Sequence, residues 1–368
     1  MSQINFWDTQ VGKKDLDFVK KSILLNYPNE GKFTKILENK IKKLLKVRYC
    51  LATPSCTLAI YLGLKSVGVG QKDEVLVPNL TFPATANAVL MSGAKVVLVD
   101  INPNTLNIDL KDLQKKINNK TKAIVPVHVT GRGCEVAGIK KIIKKKKKKI
   151  FIVEDAAEAF LSKKNNKYLG SHGDVGCFSL SPNKIFTSGQ GGLLITNNKK
   201  IYNFAKVFKT QGRVGKTTGG NDKHISTGAN LKFSNINAGL AISELNKVSY
   251  RKKKLIQNYN FYKRNLNIGE NFKILKFNID NGELPLWTDV LCSKRDELYE
   301  FLKKRKIVCR RFWTPLSKGG LYSNQKHNSF KKTMLIEKKA MWLPSSFLMT
   351  KKQQYKVINL IKNFYSKY

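Results

Sequence analysis

The sequence predicts an α/β protein with a mostly parallel central sheet, followed by a smaller α+β C-terminal unit. Three observations predict it. Over its first two-thirds the chain alternates short apolar runs with amphipathic segments. Most of those runs are continuously apolar, the pattern of strands covered on both faces. The rhythm then breaks at a long amphipathic segment, roughly Asn235 to Leu266. The large unit is therefore expected over residues 1–240 and the small one over 241–368.

In chain order, strands are expected at Glu74 to Pro78 (EVLVP), Lys95 to Asp100 (KVVLVD), Ala123 to Val129 (AIVPVHV), Ile150 to Asp155 (IFIVED), Gly176 to Leu180 (GCFSL) and Gly192 to Thr196 (GLLIT). Helices are expected between them at Thr57 to Ser66, Pro83 to Met91 and Val136 to Lys147. After the long segment come an apolar run at Leu286 to Cys292, a helix near Arg295 to Lys304, a second run at Lys306 to Trp313 and a terminal helix from Lys351. No internal repeat is present.

With 368 residues, 42% of them hydrophobic, the chain is long enough for a substantial core, and disorder is not expected. The amino terminus, MSQINFWDTQVGKKDLDF, has no apolar run with a cleavage site, and no window has the length and apolarity of a membrane span. A cytoplasmic enzyme with no membrane partner is expected. Six cysteines (Cys50, Cys56, Cys134, Cys177, Cys292, Cys309) form no CxxC pair and read as reduced thiols, with no metal site. The net charge of +43 invites a nucleic-acid reading. Yet lysine is spread over the whole chain, and the run IIKKKKKKI (Ile142 to Ile150) sits where an exposed helix face gives way to a buried strand. No nucleic-acid motif accompanies it, so no nucleic-acid partner is expected. A field that attracts an anionic substrate fits better.

Open α/β sheets bind ligands at the carboxyl ends of their strands. Four segments with suitable chemistry fall there. In TPSCTLAIYLGL, residues Ser55, Cys56 and Thr57 open a helix whose free N–H groups attract phosphate, although an ordinary N-cap accounts for them equally well. In PNLTFPATANAV, Phe82 can stack on a flat ring, while a core role is the plainer reading. In FIVEDAAEAF, Asp155 closes an apolar strand, where an unpartnered carboxylate is costly. A cation should face it, either a protonated ring nitrogen or an arginine. Spacing leaves open which of Glu154 and Glu158 points inward. In FSLSPNKIFTSGQGG, Lys184 lies among hydroxyls: Ser179 and those after the lysine can hold phosphate oxygens, and the lysine can form a Schiff base with an aldehyde. A phosphate cradle, a ring stacker, an acid for a ring nitrogen and an amine for an aldehyde together match the needs of pyridoxal 5'-phosphate (PLP).

Over VPNLTFPATANAVLMSGAKVVLVDIN, VEDAAEA, GDVGCFSLSPNKIFTSGQGG and GANLKFSNINAGLAISEL the chain resembles the DegT/DnrJ/EryC1/StrS sugar aminotransferases, within the fold-type I PLP-dependent transferases. The resemblance implies Lys184 as the lysine that carries the cofactor and Asp155 as the acid on its ring nitrogen. It implies Ser179, Cys56 and Thr57 as phosphate contacts, Phe82 as the stacked aromatic, and Glu158, where many relatives have glutamine, beside the cofactor's hydroxyl. Asn230 matches an asparagine lent to the neighbouring subunit's cofactor, which implies a homodimer with shared active sites. His224 falls where several relatives have a histidine. The chain departs from the pattern at Cys56, where glycine is usual, and at Gln190, where an acid is usual. The subgroup with histidine at the lysine position performs dehydration, and Lys184 argues against that activity.

The implied function is transfer of an amino group from L-glutamate to a nucleotide-linked keto sugar, VEDAAEA leaning towards 4-keto-6-deoxyhexoses. A 3-keto sugar nucleotide is the alternative, or a non-catalytic regulatory or polyanion-binding member of the fold. Asn26 to Phe33, and the region of Arg310, Arg311 and Trp313, are expected as walls for the substrate.

Overall fold

Seven strands build the sheet foreshadowed by the apolar runs: β1 (Tyr49–Thr53), β2 (Glu74–Pro78), β3 (Lys95–Val99), β4 (Thr121–Ile124), β5 (Phe151–Asp155), β6 (Val175–Ser179) and β7 (Gly192–Thr196). This computed structural model describes residues 3–215, 223–322, 325 and 329–367. The strand order is β1-β7-β6-β5-β4-β2-β3. Neighbours from β3 to β6 pair in parallel, and β7 alone runs antiparallel to both of its neighbours.

Helices cover both faces, as continuously apolar strands require. They are α1 (Lys13–Leu24), α2 (Lys32–Leu45), α3 (Cys56–Ser66), α4 (Ala84–Met91), α5 (Leu110–Lys116), α6 (Val136–Lys145), α7 (Lys199–Phe208) and α8 (Asn235–Leu245), followed by α9 (Val248–Asn265), α10 (Arg295–Lys304), α11 (Lys331–Glu337) and α12 (Lys351–Tyr365). Alternation along each strand divides the core. On β1, Leu51 packs with α3 and α7, while Cys50 and Ala52 pack with α2 and α8. On β5, Val153 joins the α3 side and Ile152 the side of α5 and α6. All six cysteines are buried free thiols.

The C-terminal part carries a second, antiparallel sheet of β8 (Phe272–Ile274), β9 (Thr288–Cys292), β10 (Arg310–Arg311) and β11 (Ala340–Leu343), in the order β8-β9-β11-β10. Its outer face packs on α9, α10 and α12 through Tyr262, Leu298 and Ile358. The amino terminus reaches this sheet. Ile4 bridges Ile307, and the Phe6 ring lies 5.4 Å from Trp287 and 6.2 Å from Trp342.

Several expected elements differ in extent. The strand expected to reach Val129 stops at Ile124, because Pro126 has no N–H to donate and the chain then turns through Thr130 (φ 53°) and Gly131 (φ 99°). A side chain at Gly131 would stand 1.9 Å from the Leu284 carbonyl oxygen, so only glycine allows the approach. The long segment from Asn235 is two helices, α8 and α9, and the expected division after residue 240 falls inside α8. The run from Lys306 to Trp313 supplies only the two residues of β10 to the sheet. The lysine run ends α6 at Lys145, reverses through left-handed Lys147 and enters β5 at Phe151.

Candidate active site

The carboxyl ends of the parallel strands open into a cleft of about 360 Å³. Cys56, Thr57, Phe82, Asp155, Glu158, Ser179 and Lys184 all line it. These residues span 129 positions of sequence and four segments that each follow a strand, and the sheet topology brings them together.

Lys184 follows β6 in a turn whose N–H donates to the Ser181 carbonyl at 3.1 Å. Its side chain is only 11% exposed, and Nζ donates to Glu158 Oε1 at 3.2 Å. The ammonium also lies 5.0 Å from the Trp287 ring centroid. Glu158 is fixed from behind by the Thr130 N–H at 3.0 Å. Burial pushes the Glu158 carboxyl above its ordinary range, and the charge of Lys184 only partly reverses that.

Asp155 is buried at the end of β5. Thr85 Oγ1 donates to it at 2.7 Å and the Ala157 N–H at 3.1 Å. Among the described residues no arginine or lysine forms an ion pair with it, so neither neutral donor supplies the cation that its position calls for. Burial raises its pKa, and the Thr85 hydrogen bond opposes that shift without cancelling it. Glu154 points to the opposite face. It accepts from His128 Nε2 at 2.7 Å and from the Gly170 and Gly173 N–H groups at 3.0 and 2.5 Å. Burial pushes Glu154 up, but these donors, His128 first, hold it below its ordinary value. Of the two glutamates, then, Glu158 is the one that lines the cleft, beside Asp155.

At the amino end of α3, Ser55 Oγ caps the helix by accepting from the Leu58 N–H at 3.2 Å. The amides of Cys56 and Thr57 are left without helical partners at the positive end of the helix dipole. Gly192 pairs with Thr53 on one side and Ser179 on the other. A Cβ there would stand 2.4 Å from the Ser55 carbonyl, so this glycine lets the α3 turn sit down against the sheet. We expect Gly192→Ala to destabilise the cofactor-free chain by about 1–3 kcal/mol, measured by denaturant unfolding.

Ser179 Oγ donates to Ser181 Oγ at 3.0 Å on the cleft wall. The later hydroxyls expected to share its task do not reach the cleft. Thr187 Oγ1 donates to the Leu180 carbonyl and Ser188 Oγ to that of Gln190, both at 2.8 Å, holding their own loop in shape. Phe82, 59% exposed, stands on the cleft wall at the start of the turn into α4.

The far wall comes from the C-terminal part: Trp287, Trp313, Trp342 and Arg310. Arg311, expected beside them, turns away to Asp296 at 2.6 Å and Glu300 at 3.5 Å. The segment Asn26 to Phe33 does not line this cleft either. The Asn235 side chain donates to the Tyr27 carbonyl and accepts from the Phe33 N–H, which folds the segment onto α8 and beside a separate hollow next to Tyr49 and Tyr202. His224 and Asn230 are exposed and outside the cleft. His224 Nδ1 lies 2.9 Å from the Gln211 carbonyl, and Asn230 bridges Thr210. The sequence reading singled out neither Thr85 nor Trp287 and Trp342. Thr85 sits three residues past Phe82 in a quoted motif, so helical spacing was its signal, whereas the tryptophans had none.

Residues 10–362 match the model of the DegT/DnrJ/EryC1/StrS aminotransferase family. A GDP-perosamine synthase of Escherichia coli O157:H7 is 30% identical over the full length of both chains. A UDP-4-amino-4,6-dideoxy-N-acetyl-beta-L-altrosamine transaminase of Campylobacter jejuni is 29% identical over 87% of this chain and 86% of its own. The fold matches a sugar aminotransferase structure from Streptococcus pneumoniae, Spr1654 in its PMP form, with a TM-score of 0.94 at 21% identity, covering 100% of this chain and 98% of that one. The PLP form of that protein aligns with a TM-score of 0.93 at the same identity, covering 100% and 99%. The chain belongs to the DegT/DnrJ/EryC1/StrS aminotransferase family and is a PLP-dependent sugar aminotransferase.

Proposed function

We propose that the cleft around Lys184 is the active site, and that it aminates a keto sugar carried on a nucleoside diphosphate with L-glutamate as donor. The observation that carries the reading is a largely buried amine, 3.2 Å from Glu158, in the same cleft as a buried Asp155 that has no ion-pair partner among the described residues.

The cleft residues fit the cofactor. Among the described residues no cation pairs with Asp155, and a protonated ring nitrogen would provide one, while the Gly192 contact shapes a turn with free amides. Lys184 would hold the cofactor's aldehyde carbon, Asp155 its ring nitrogen, and the Cys56 and Thr57 amides with Ser179 its phosphate. Phe82 would cover a ring face, and Glu158 would lie by the ring hydroxyl. When bound, PLP supplies an aldehyde that takes up the amino group and a ring that accepts charge from the reacting carbon.

The chain's own groups do the rest. As a free amine, Lys184 Nζ would move a proton to or from the reacting carbon, and Glu158 would orient that amine through its hydrogen bond. Asp155 keeps its negative charge where positive charge is needed, held in orientation by Thr85 and Ala157. The tryptophan wall excludes water on the opposite side. Donor and keto sugar take turns at the same amine.

The name of the Campylobacter relative, a transaminase of a UDP-linked 4-amino-4,6-dideoxy sugar, supports a 4-keto-6-deoxyhexose as substrate. A cytoplasmic homodimer with shared sites completes the proposal, in which the exposed Asn230 serves the neighbouring cleft. Among the described residues no helix is long and apolar enough to cross a membrane. Mixing Lys184→Ala with Asn230→Ala subunits should then restore activity that neither variant has alone, since one site per mixed dimer is intact. Incubating the loaded enzyme with glutamate and a panel of 3-keto and 4-keto sugar nucleotides, followed by mass spectrometry, tests the whole reading. It fails if glutamate leaves the cofactor's absorbance unchanged or if no keto sugar gains an amine.

A further inference from the structure

We infer that Arg310 is the receptor for the α-carboxylate of the amino donor. The inference rests on the proposed active site around Lys184, and three observations carry it.

The first is charge. Among the described residues that line the cleft, only Lys184 and Arg310 are cationic. Lys184 is engaged by Glu158, whereas Arg310 has no carboxylate partner among the described residues. Arg132, Arg251, Arg295 and Arg311 all have one. With Asp155 and Glu158 in its floor, the cleft repels an anionic donor unless a free cation faces it.

The second is direction. On the short strand β10, Arg310 stands opposite Trp342 and Arg311 opposite Met341. Residues directly opposite across a ladder share a face. Trp342 lines the cleft, while Met341 is in the core on the other face of that sheet. Strand alternation thus sends Arg310 into the cleft and Arg311 towards the acids of α10.

The third is preorganisation. The Arg310 guanidinium lies 4.8 Å from the Phe6 ring centroid, and that ring is buried at 2% exposure against Trp287 and Trp342. The ring contact tethers the exposed guanidinium at the cleft wall, and no carboxylate among the described residues occupies its N–H fork, which can grip a carboxylate with two hydrogen bonds. An amino acid bears its α-carboxylate on the reacting carbon itself. The diphosphate of a sugar nucleotide is separated from the ring carbonyl by the sugar. In a cleft shared with Lys184, the anion attached to the reacting carbon is the one within reach.

The test uses the cofactor-loaded protein and two readouts: ligand binding, followed by fluorescence of the cleft tryptophans, and each half of the reaction in single turnover by absorbance. Arg310→Met should weaken binding of L-glutamate about 10- to 100-fold. The α-amide of glutamate, which lacks that one charge, should bind wild type as weakly as glutamate binds the variant, and the variant should no longer tell the two apart. Arg310→Lys should fall between, and Arg311→Met should behave as wild type. The inference is overturned if Arg310→Met keeps its preference for glutamate over the α-amide. It is equally overturned if the variant loses the sugar-nucleotide half-reaction while the glutamate step survives, which would give Arg310 to the diphosphate. A wild type that does not react with glutamate at all defeats the proposed function instead, and shows before any variant is made.

Discussion

Lys184→Ala should lower amino transfer by about 10³-fold or more, because in the proposed site this one group both holds the cofactor and moves the proton at the reacting carbon. The cleft itself should survive, since the backbone bond from Lys184 to Ser181 and the neighbouring β6 ladder do not involve the side chain. Borohydride reduction and peptide mapping should find the cofactor on Lys184 of wild type and on no residue of the variant. In a chain with 68 Lys and Arg residues the mapping is essential, and a cofactor attached at another lysine would defeat the assignment. A second effect should follow in the cofactor-free protein. Removing Lys184 takes away the charge that pulls the buried Glu158 carboxyl back towards its ordinary range. Glu158 then holds its proton more tightly folded than unfolded. That contribution is complete below the unfolded pKa and is lost as pH rises through the folded one. The variant should therefore lose stability with rising pH more steeply than wild type in thermal melts.

Asp155→Asn should separate activity from stability. Transfer should fall by about 10²–10³-fold, since the charge proposed to face the ring nitrogen is gone while shape is kept. The cofactor-free variant should nevertheless be more stable than wild type at neutral pH. Burial raises the Asp155 pKa, so ionising it costs stability above its ordinary carboxylate range, and a neutral amide escapes that cost. The gain should vanish as pH falls below that range, where the acid is neutral in both states. The hydrogen-bond network can adapt, because the Thr85 hydroxyl also has Thr81 Oγ1 at 2.9 Å and can turn to accept from the new amide. A variant less stable than wild type at neutral pH, with pH-independent melting differences, would show that Asp155 is structurally paired in some other way.

The sheet was legible because its strands announce themselves as apolar runs, and the motifs of the candidate site because each sits at the end of such a run. Seven of the eight named site residues line one cleft for that reason. Edge strand β1 was not legible: its residues, Tyr49 to Thr53, face two different cores and carry no long apolar run. Nor was the break between α8 and α9, where Asn246 and Lys247 provide neither glycine nor proline. The direction of a hydroxyl is another limit. Thr187 and Ser188 have the same chemistry as Ser179, and only the loop's own hydrogen bonds decide that they turn inward on the chain. Of the far wall, Arg310 and Trp313 were expected and line the cleft, whereas Trp287 and Trp342 escaped, because they lie more than a hundred residues from Lys184 and nothing local marks them.

The bridge from Ile4 to Ile307, and the seating of Phe6 on Trp287 and Trp342, carry a lesson about biogenesis. A nascent chain exposes its first residues roughly 300 codons before their partners leave the ribosome, a wait of about 15–60 s at ordinary translation speeds. The seven-stranded sheet can be assembled during that interval, but the tryptophan wall cannot close over it until Trp342 has emerged. Closure of the cleft thus comes after assembly of the large sheet, and loss of the Phe6 ring would threaten that late step before it threatened the sheet.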